Sequence, residues 1–335
     1  MMPRRDGWID CLRALSALAV VFYHFNVLPI QFPAEPSAIA WHQLCTYGYL
    51  GVSVFFVLSG YCLAPGWARS THFGEFMTRR TWRILPPYWC SLLLVVALAV
   101  AFKLVTGVND IAALPRTPVE IASTILLLTN PLSSIPTVNW VYWSLTFLLV
   151  AYLLLGMTLL APRSVRVHTL AGLHVLLCVV DVIFHPAPVG PLFFIRYWPV
   201  FGMGLALALI PQNKGIGAIM AAVSVLHALW TFANWPNEIP FLAMSVWTVA
   251  FLAITRNRPF PNWLQPLARV SKISYSLYLI HVPVAINTLL RLFPTEFAST
   301  LPFVATQFAL LSLTLLAAWL FYLACERPFL PRPRY

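Results

Sequence analysis

The chain has 335 residues, of which 60% are hydrophobic and only 9% are charged, against roughly 25% charged residues in a soluble domain. Such a chain cannot cover its surface with polar groups in water, which excludes a water-soluble enzyme and, despite the net charge of +11, a soluble nucleic-acid-binding protein. We therefore predict an all-α, polytopic membrane helix bundle in which residues 1–335 form a single domain.

About ten apolar stretches have the ~20 residues that a helix needs to cross a bilayer. They lie near 8–28, 46–66, 86–106, 140–161, 169–185, 193–211, 216–234, 239–255, 272–292 and 303–325. The stretch 119–135 is apolar but short and bounded by Pro, so we interpret it as a re-entrant or interfacial segment. The first span contains Arg13 and His24 and leads into many others, which favours a retained helix over a cleaved signal peptide.

The basic residues predict the orientation of the bundle. With ten spans and both termini in the cytoplasm, most of the 21 Lys and Arg fall on the cytoplasmic side, among them Arg4, Arg5, Arg332 and Arg334. This asymmetry follows the positive-inside rule. The six Cys are scattered without a C-x-x-C pair, so neither a metal site nor a disulfide framework is predicted.

The first span carries ionisable residues that lipid should exclude, since a charge at the bilayer centre costs at least ~2.5–3.5 kcal/mol. Arg13 and His24 are nearly three helical turns apart and share one face with Asp10, at a separation of about 16 Å. His suits proton transfer because it titrates near neutral pH. The alternatives are an Arg13 that extends to the membrane surface and a His24 bonded to a backbone carbonyl.

Arg79, Arg80 and Arg83 precede the third predicted span. Their spacing places them on one helical face at the cytoplasmic rim, where guanidinium groups bind phosphates in a bidentate manner. The alternative is an orientation signal that holds anionic lipid headgroups.

Two further groups lie toward the end of the chain. Tyr278 and His281 are one turn apart on a face of the ninth predicted span, and Tyr322 and Glu326 are one turn apart at the end of the tenth. A structural ion pair between Glu326 and an Arg is the alternative to a functional carboxylate.

A fifth group, His174, Asp181 and His185, shares one face of the fifth predicted span. An Asp inside a membrane requires a partner. We interpret this group as a hydrogen-bond network in the core, with catalysis as the alternative.

Several segments resemble, in order and spacing, the acyltransferase-3 family of membrane acyltransferases. They are residues 10–24 with the Arg and His, 51–60, 76–88 with the arginine motif, 143–145, 274–283 and 322–328. These segments are distributed over essentially the whole chain. Two positions depart from the family pattern, because Ser53 and Leu148 stand where family members usually have acidic residues. Asp181 is one candidate replacement for the missing carboxylates.

The resemblance implies transfer of an acyl group, most often acetyl, from cytoplasmic acyl-CoA to a hydroxyl of a carbohydrate or glycoconjugate in the cell envelope. It implies a multi-pass protein of the inner cell membrane that uses acyl-CoA as co-substrate and no metal. The acceptor, the acyl chain length and the oligomeric state are left open, a homodimer being one option.

The resemblance also suggests what each residue contributes. His24 acts as base or carries the acyl group, with Arg13 and Asp10 beside it on the first helix. The CoA phosphates bind Arg79, Arg80 and Arg83. The residues expected to line the acceptor path are Trp143, Tyr275, Tyr278, His281 and Glu326. Trp143 and Tyr275 have interfacial anchoring as their alternative.

Two other classes of protein remain as alternatives. A transporter of an anionic or glycosylated substrate also needs intramembrane charges, but it predicts inverted repeats that we do not find. In a membrane scaffold or sensor, the polar residues within the spans only hold the helices together.

Overall fold

The computed structural model of the protein describes residues 6–27, 31–107, 112–293 and 296–330, and the regular structure of these residues is helical. The α-helices are α1 (Gly7–Asn26), α2 (Pro36–Thr46), α3 (Gly51–Arg69), α4 (Phe73–Thr106), α5 (Pro118–Ile125), α6 (Trp143–Thr158), α7 (Arg166–Phe184), α8 (Phe193–Leu209), α9 (Lys214–Asn234), α10 (Ile239–Thr255), α11 (Gln265–Val270), α12 (Ser274–Ile280) and α13 (Thr300–Phe321). The predicted all-α fold is confirmed.

Nine helical stretches among these residues are long and apolar enough to cross a membrane, and each coincides with a predicted span. The predicted span 193–211 corresponds to α8, which is apolar but has 17 residues. The chain is thus a multi-pass membrane protein. Arg4, Arg5, Arg332 and Arg334 lie outside the described residues, and the cytoplasmic location of both termini stays a prediction.

The fourth helix holds the arginine motif and the following apolar span in one continuous element. It begins at Phe73, well before the predicted span, because the His72 side chain accepts a hydrogen bond from Glu75 N and caps the helix there. Pro86 and Pro87 lie inside it. Its 34 residues extend about 51 Å, beyond the ~30 Å hydrocarbon core. The charged first turns are the part that lipid would exclude.

The predicted span 272–292 is not one regular helix. The α-helix α12 ends at Ile280, a π-helical segment follows over His281–Ile286, and a 3₁₀ turn occupies Leu289–Leu292. Pro283 lies in the π-helical segment and cannot donate a backbone hydrogen bond. π-Helical turns are frequent at functional sites, and this one begins with His281.

The stretch 119–135, predicted to be re-entrant or interfacial, contains the eight-residue helix α5, which is too short to cross a bilayer. Thr117 and Glu120 form a capping box at its start. Most of the helix α2 lies between the first and second predicted spans.

Close packing of α3 against α8 forms one wall of the bundle interior. A Cβ on Gly60 would lie 2.1 Å from the Phe201 carbonyl oxygen, and one on Gly204 would lie 2.0 Å from that of Val57. Small residues permit the two helix backbones to approach closely. Such packing matters in a membrane because apolar side chains gain little free energy by moving from lipid into the protein interior. Phe56 on α3 contacts Tyr197 on α8 at 5.7 Å between ring centroids. The two helices run parallel because each runs parallel to α6. Phe56 and Trp67 of α3 contact Trp143 and Thr158 of α6, and Tyr197 and Phe201 of α8 contact Trp143 and Phe147 of α6.

Candidate functional site

A cavity of about 670 Å³ lies within the bundle. Its walls come from α1, α3, α4, α6, α8, α9, α10 and α12, with residues from the neighbouring turns. The predicted site residues that line it are Arg13, His24, Arg80, Arg83, Trp143, Tyr275, Tyr278, His281 and Glu326. The structure therefore brings together nine predicted residues that are spread over the whole chain.

Two histidines from distant segments form the centre of the site, and we call them the histidine pair. His24 Nδ1 lies 2.7 Å from His281 Nε2, and the two rings stack with 4.9 Å between centroids. Both side chains are buried, with 5% and 1% exposure. The edge of Trp140 packs on His24 at 4.5 Å. The predicted alternative was a hydrogen bond between His24 and a backbone carbonyl, whereas the observed partner of His24 is the His281 side chain.

The contacts of the histidine pair fix which nitrogen of each ring carries a proton. His281 Nδ1 lies 3.0 Å from the Leu277 carbonyl oxygen and 2.9 Å from that of Tyr278. Carbonyls only accept, so this nitrogen is the protonated donor, and Nε2 of neutral His281 is an acceptor. His24 must then donate through Nδ1–H. This leaves Nε2 of neutral His24 with a free lone pair, which is the requirement for a general base or nucleophile.

Three guanidinium groups that we call the arginine cluster, Arg13, Arg80 and Arg83, line another part of the cavity. Arg13 lies 3.4 Å from Asp10 and 3.8 Å from Cys62 Sγ. Among the described residues, neither Arg80 nor Arg83 has a carboxylate within 4.0 Å. An Arg without an acidic partner in a low-dielectric site strongly favours a bound anion.

The arginine cluster lies against the C-terminal half of α3. The Arg80 guanidinium occupies the space beside Gly66, where a Cβ would come within 2.1 Å of Nη2. Arg13 contacts Cys62 on the same half of this helix. His24, by contrast, is near the end of α1, about 16 Å along the helix from Arg13. The anion-binding groups and the histidine pair are therefore at different depths in the bundle.

Two predicted residues do not line the cavity. Arg79 is 64% exposed and pairs with Glu75 on the same helix at 2.6 Å. Asp10 contacts Arg13 but lies outside the cavity wall. The helical spacing predicted a common face for Arg79, Arg80 and Arg83, whereas the structure brings only Arg80 and Arg83 to the cavity.

Tyr275 and Glu326 lie beside the arginine cluster rather than near the histidine pair. The Tyr275 hydroxyl donates to the carbonyl of Ile84, the residue after Arg83. Glu326 accepts hydrogen bonds from the backbone and the hydroxyl of Ser276, at 3.1 and 2.5 Å. In the described structure Glu326 forms no ion pair with an Arg, which was the predicted structural alternative.

Aromatic side chains form the wall close to the histidine pair. The Tyr278 hydroxyl donates to the Val141 carbonyl at 2.6 Å and accepts from the Ser144 hydroxyl at 3.2 Å. Trp143 packs against Tyr197 at 5.0 Å between centroids. Trp143 lines the cavity at the first residue of α6.

The intramembrane acid Asp181 pairs with a residue that the sequence analysis did not single out. Its carboxylate accepts from His227 Nε2 at 2.7 Å, and His185 Nδ1 lies 3.8 Å away. His174, predicted to share this group, instead contacts Ser224 and the Met220 carbonyl. Asp181 therefore does not orient His24.

The two positions without acidic residues contribute little polarity to the site. The Ser53 hydroxyl is buried and donates to the Leu50 carbonyl within its own helix at 2.8 Å. Leu148 is an apolar part of the cavity wall. In this chain His281, rather than a carboxylate, is the hydrogen-bond partner of His24.

Three cavity residues with a charged or imidazole side chain were missed by the sequence analysis: Arg196, His227 and Glu238. His227 and Arg196 fall within predicted spans, so the rule that ionisable residues inside a membrane are functional candidates would have found them. Glu238 precedes α10 and carries no comparable signal.

Comparison with known proteins agrees with the geometry. Residues 6–323 match the family model described as an acyltransferase domain of acyltransferase-3 type. An alignment over 100 positions, which covers 28% of the chain, shows 34% identity to the peptidoglycan O-acetyltransferase OatA of Listeria monocytogenes. That alignment covers 14% of the Listeria protein. No solved structure matches the chain.

The family match spans nearly the whole chain and includes the arginine cluster and the histidine pair. The chain belongs to the acyltransferase-3 family of multi-pass membrane acyltransferases.

Proposed function

We propose that the protein is a membrane O-acyltransferase that moves an acyl group, most simply acetyl, from acyl-CoA to a hydroxyl group of a carbohydrate. The observation that carries this proposal is the free Nε2 lone pair of His24 in a cavity that also holds Arg80 and Arg83, which have no carboxylate within 4.0 Å in the described parts of the chain. The His24 lone pair supplies a base, and the two guanidinium groups supply binding sites for the phosphates of a CoA donor.

The donor occupies the part of the cavity beside the arginine cluster. Arg80 and Arg83 bind the CoA phosphates, and Arg13 lies along the path of the extended pantetheine arm. The ~16 Å between Arg13 and His24 is a distance that this arm can cover. Because acyl-CoA is cytoplasmic, the arginine cluster faces the cytoplasm and the protein resides in the inner cell membrane.

The chemistry follows from the protonation of the histidine pair. His24 Nε2 takes the proton of the acceptor hydroxyl while its oxygen bonds to the thioester carbonyl carbon. The tetrahedral intermediate then loses the CoA thiolate by cleavage of the C–S bond, and imidazolium His24 returns the proton to that sulfur. The products are an ester and CoA thiol. Direct transfer is favoured because the side-chain partner of His24 is His281, not a Ser or Cys.

A carbohydrate acceptor is supported by the cavity wall and by a relative. Trp140 packs against His24 and Trp143 lies in the wall of the same cavity, and aromatic faces suit the apolar face of a sugar ring. The Listeria relative acts on peptidoglycan according to its name. Soluble peptidoglycan fragments are therefore the first acceptors to try.

The test is transfer of a labelled acetyl group from acetyl-CoA to these fragments by purified protein in detergent. We expect transfer by the wild type and a loss of roughly 10²–10⁴-fold in kcat for His24→Ala. His168→Ala, which removes an exposed His outside the cavity, is the matched control. No transfer by the wild type to any glycan would overturn the proposal and favour a transporter. Full transfer by His24→Ala would remove His24 from the reaction.

A further inference from the structure

A second His with a free lone pair lies in the wall of the same cavity, and the proposed reaction does not use it. His227 Nε2 lies 2.7 Å from Asp181 Oδ2. The two side chains are 6% and 2% exposed. Neither residue belongs to the segments that carry the family resemblance. His227 Nδ1 is buried and has no hydrogen-bond partner among the described residues.

Asp181 determines the protonation of His227. An ionised carboxylate only accepts hydrogen bonds, so Nε2 of His227 carries the proton. In neutral His227 the remaining nitrogen, Nδ1, is then an acceptor. An unsatisfied acceptor in a membrane interior costs free energy unless a ligand donates to it. Because His227 lines the cavity, that donor can be a hydroxyl group of a molecule in the cavity.

Further polar groups connect to Asp181 through His185, whose Nδ1 lies 3.8 Å from Asp181 Oδ1. Arg196 pairs with Glu238, and His185 Nε2 lies 3.1 Å from the same carboxylate oxygen. His185 also stacks on Trp235 at 3.8 Å between centroids. We call Asp181, His185, Arg196, His227 and Glu238 the Asp181 network.

The balance of charge in the Asp181 network indicates the kind of ligand. With His227 neutral, the network has two carboxylates and one guanidinium group, so it offers donors and acceptors and lacks the excess positive charge of the arginine cluster. A phosphate gains little there, whereas a neutral polyhydroxyl compound fits. Arg196, His227 and Glu238 reach the cavity wall together with Tyr197.

The Asp181 network and the arginine cluster lie at different positions along the helix axes. Arg196 is near the start of α8, which runs parallel to α3, and the arginine cluster contacts the C-terminal half of α3. His24 and the Asp181 network thus lie toward the opposite part of the cavity from Cys62 and Gly66.

We infer that the Asp181 network is the binding subsite for the sugar acceptor, in which His227 Nδ1 accepts a hydrogen bond from an acceptor hydroxyl and Arg196 and Glu238 bind neighbouring hydroxyls. Asp181 is a positioning residue, since it acts through His227. This inference rests on the proposed function and identifies the residues that hold the acceptor.

The test compares two acceptors, soluble peptidoglycan fragments and 1-propanol, at saturating labelled acetyl-CoA. His227→Ala is expected to raise KM for the glycan roughly tenfold, the effect of one lost buried hydrogen bond, and to change the propanol reaction much less. KM for acetyl-CoA stays within twofold of the wild type. A purely structural effect would lower both reactions equally, and that result would overturn the inference.

Two conservative variants keep the test informative if His227→Ala folds poorly. His227→Asn places an amide oxygen close to the position of Nδ1 and is expected to recover part of the glycan affinity. Asp181→Asn permits the other tautomer of His227, which presents a donor in place of the acceptor, and is expected to raise KM for the glycan. His168→Ala on α7 is the control.

The two proposals fail in different ways. If the wild type acetylates neither glycan nor propanol, the proposed function itself is wrong. If the wild type acetylates glycan and all three variants keep its KM within twofold, only the assignment of the Asp181 network is wrong.

Discussion

The arginine cluster and the Asp181 network are two polar regions of one cavity, and they differ in how their charges are compensated. In the first, the three guanidinium groups have one carboxylate contact among the described residues, between Arg13 and Asp10. In the second, Asp181 pairs with the neutral His227 and Glu238 pairs with Arg196, so two carboxylates accompany one guanidinium group. The comparison teaches that one bundle presents a positively charged surface and a hydrogen-bonding surface without excess positive charge to the same interior space.

The difference has an energetic reason. Uncompensated charge in a low-dielectric interior is costly, so Arg80 and Arg83 gain most from a ligand that brings negative charge. The Asp181 network has no excess positive charge, so it gains nothing from a negatively charged ligand and selects a ligand by hydrogen-bond geometry. The histidine pair, bonded neither to the arginine cluster nor to the Asp181 network, is placed to act where the two ligands meet.

Among the variants that test this comparison, His281→Ala is expected to have the largest effect on activity. The variant leaves His24 Nδ1–H without its acceptor, so the tautomer with a free Nε2 is no longer fixed. We expect kcat to fall about a hundredfold while KM for both substrates changes little. Steady-state kinetics with labelled acetyl-CoA measure this.

Tyr278→Phe provides the control for His281→Ala, because it removes a hydroxyl bonded to Val141 and Ser144 but keeps the backbone carbonyl that His281 contacts. It should lose much less activity. Equal losses for the two variants would show that the site is sensitive to any change in packing rather than to this hydrogen bond.

A smaller effect is expected from Arg83→Ala, which removes one phosphate-binding group. Hydrogen bonds to charged groups are worth about 1.5–3 kcal/mol, so KM for acetyl-CoA should rise more than tenfold. The exposed Arg79 lies outside the cavity, and Arg79→Ala should leave this KM near the wild-type value. An effect of Arg79→Ala as large as that of Arg83→Ala would favour a diffuse electrostatic attraction over a bound phosphate.

The smallest of these effects is expected from Gly66→Ala, which moves a charge without removing it. The added methyl group would displace the Arg80 guanidinium, the flexible end of a long side chain. A rise of a few-fold in KM for acetyl-CoA is expected, again from initial-rate kinetics. Gly172→Ala, where an added Cβ meets nothing within 4 Å, controls for the substitution itself. Identical KM values for the two Gly variants would contradict the position of Arg80.

The sequence was sufficient for features that depend on one helix at a time. Composition and span length predicted the multi-pass bundle, and helical periodicity predicted that Arg13 and His24 face the same interior. The family resemblance, based on ordered motifs, predicted the arginine motif and the segment with His281.

Contacts between distant segments were beyond that reasoning. His24 and His281 are 257 positions apart, and periodicity gives the face of a helix but not the residue that meets it. For the same reason the spacing of Arg79, Arg80 and Arg83 did not separate the exposed residue from the two cavity residues. The partner of Asp181, 46 positions away, was identified only by the packing of α7 against α9.

The central claim is that one cavity binds two substrates at separate subsites, and the double variant Arg83→Ala/His227→Ala tests it most directly. Independent subsites predict that Arg83→Ala raises only KM for acetyl-CoA, that His227→Ala raises only KM for the glycan, and that their losses multiply in the double variant. The claim is contradicted if the double variant loses no more activity than the more impaired single variant. It is also contradicted if each single variant raises both KM values equally.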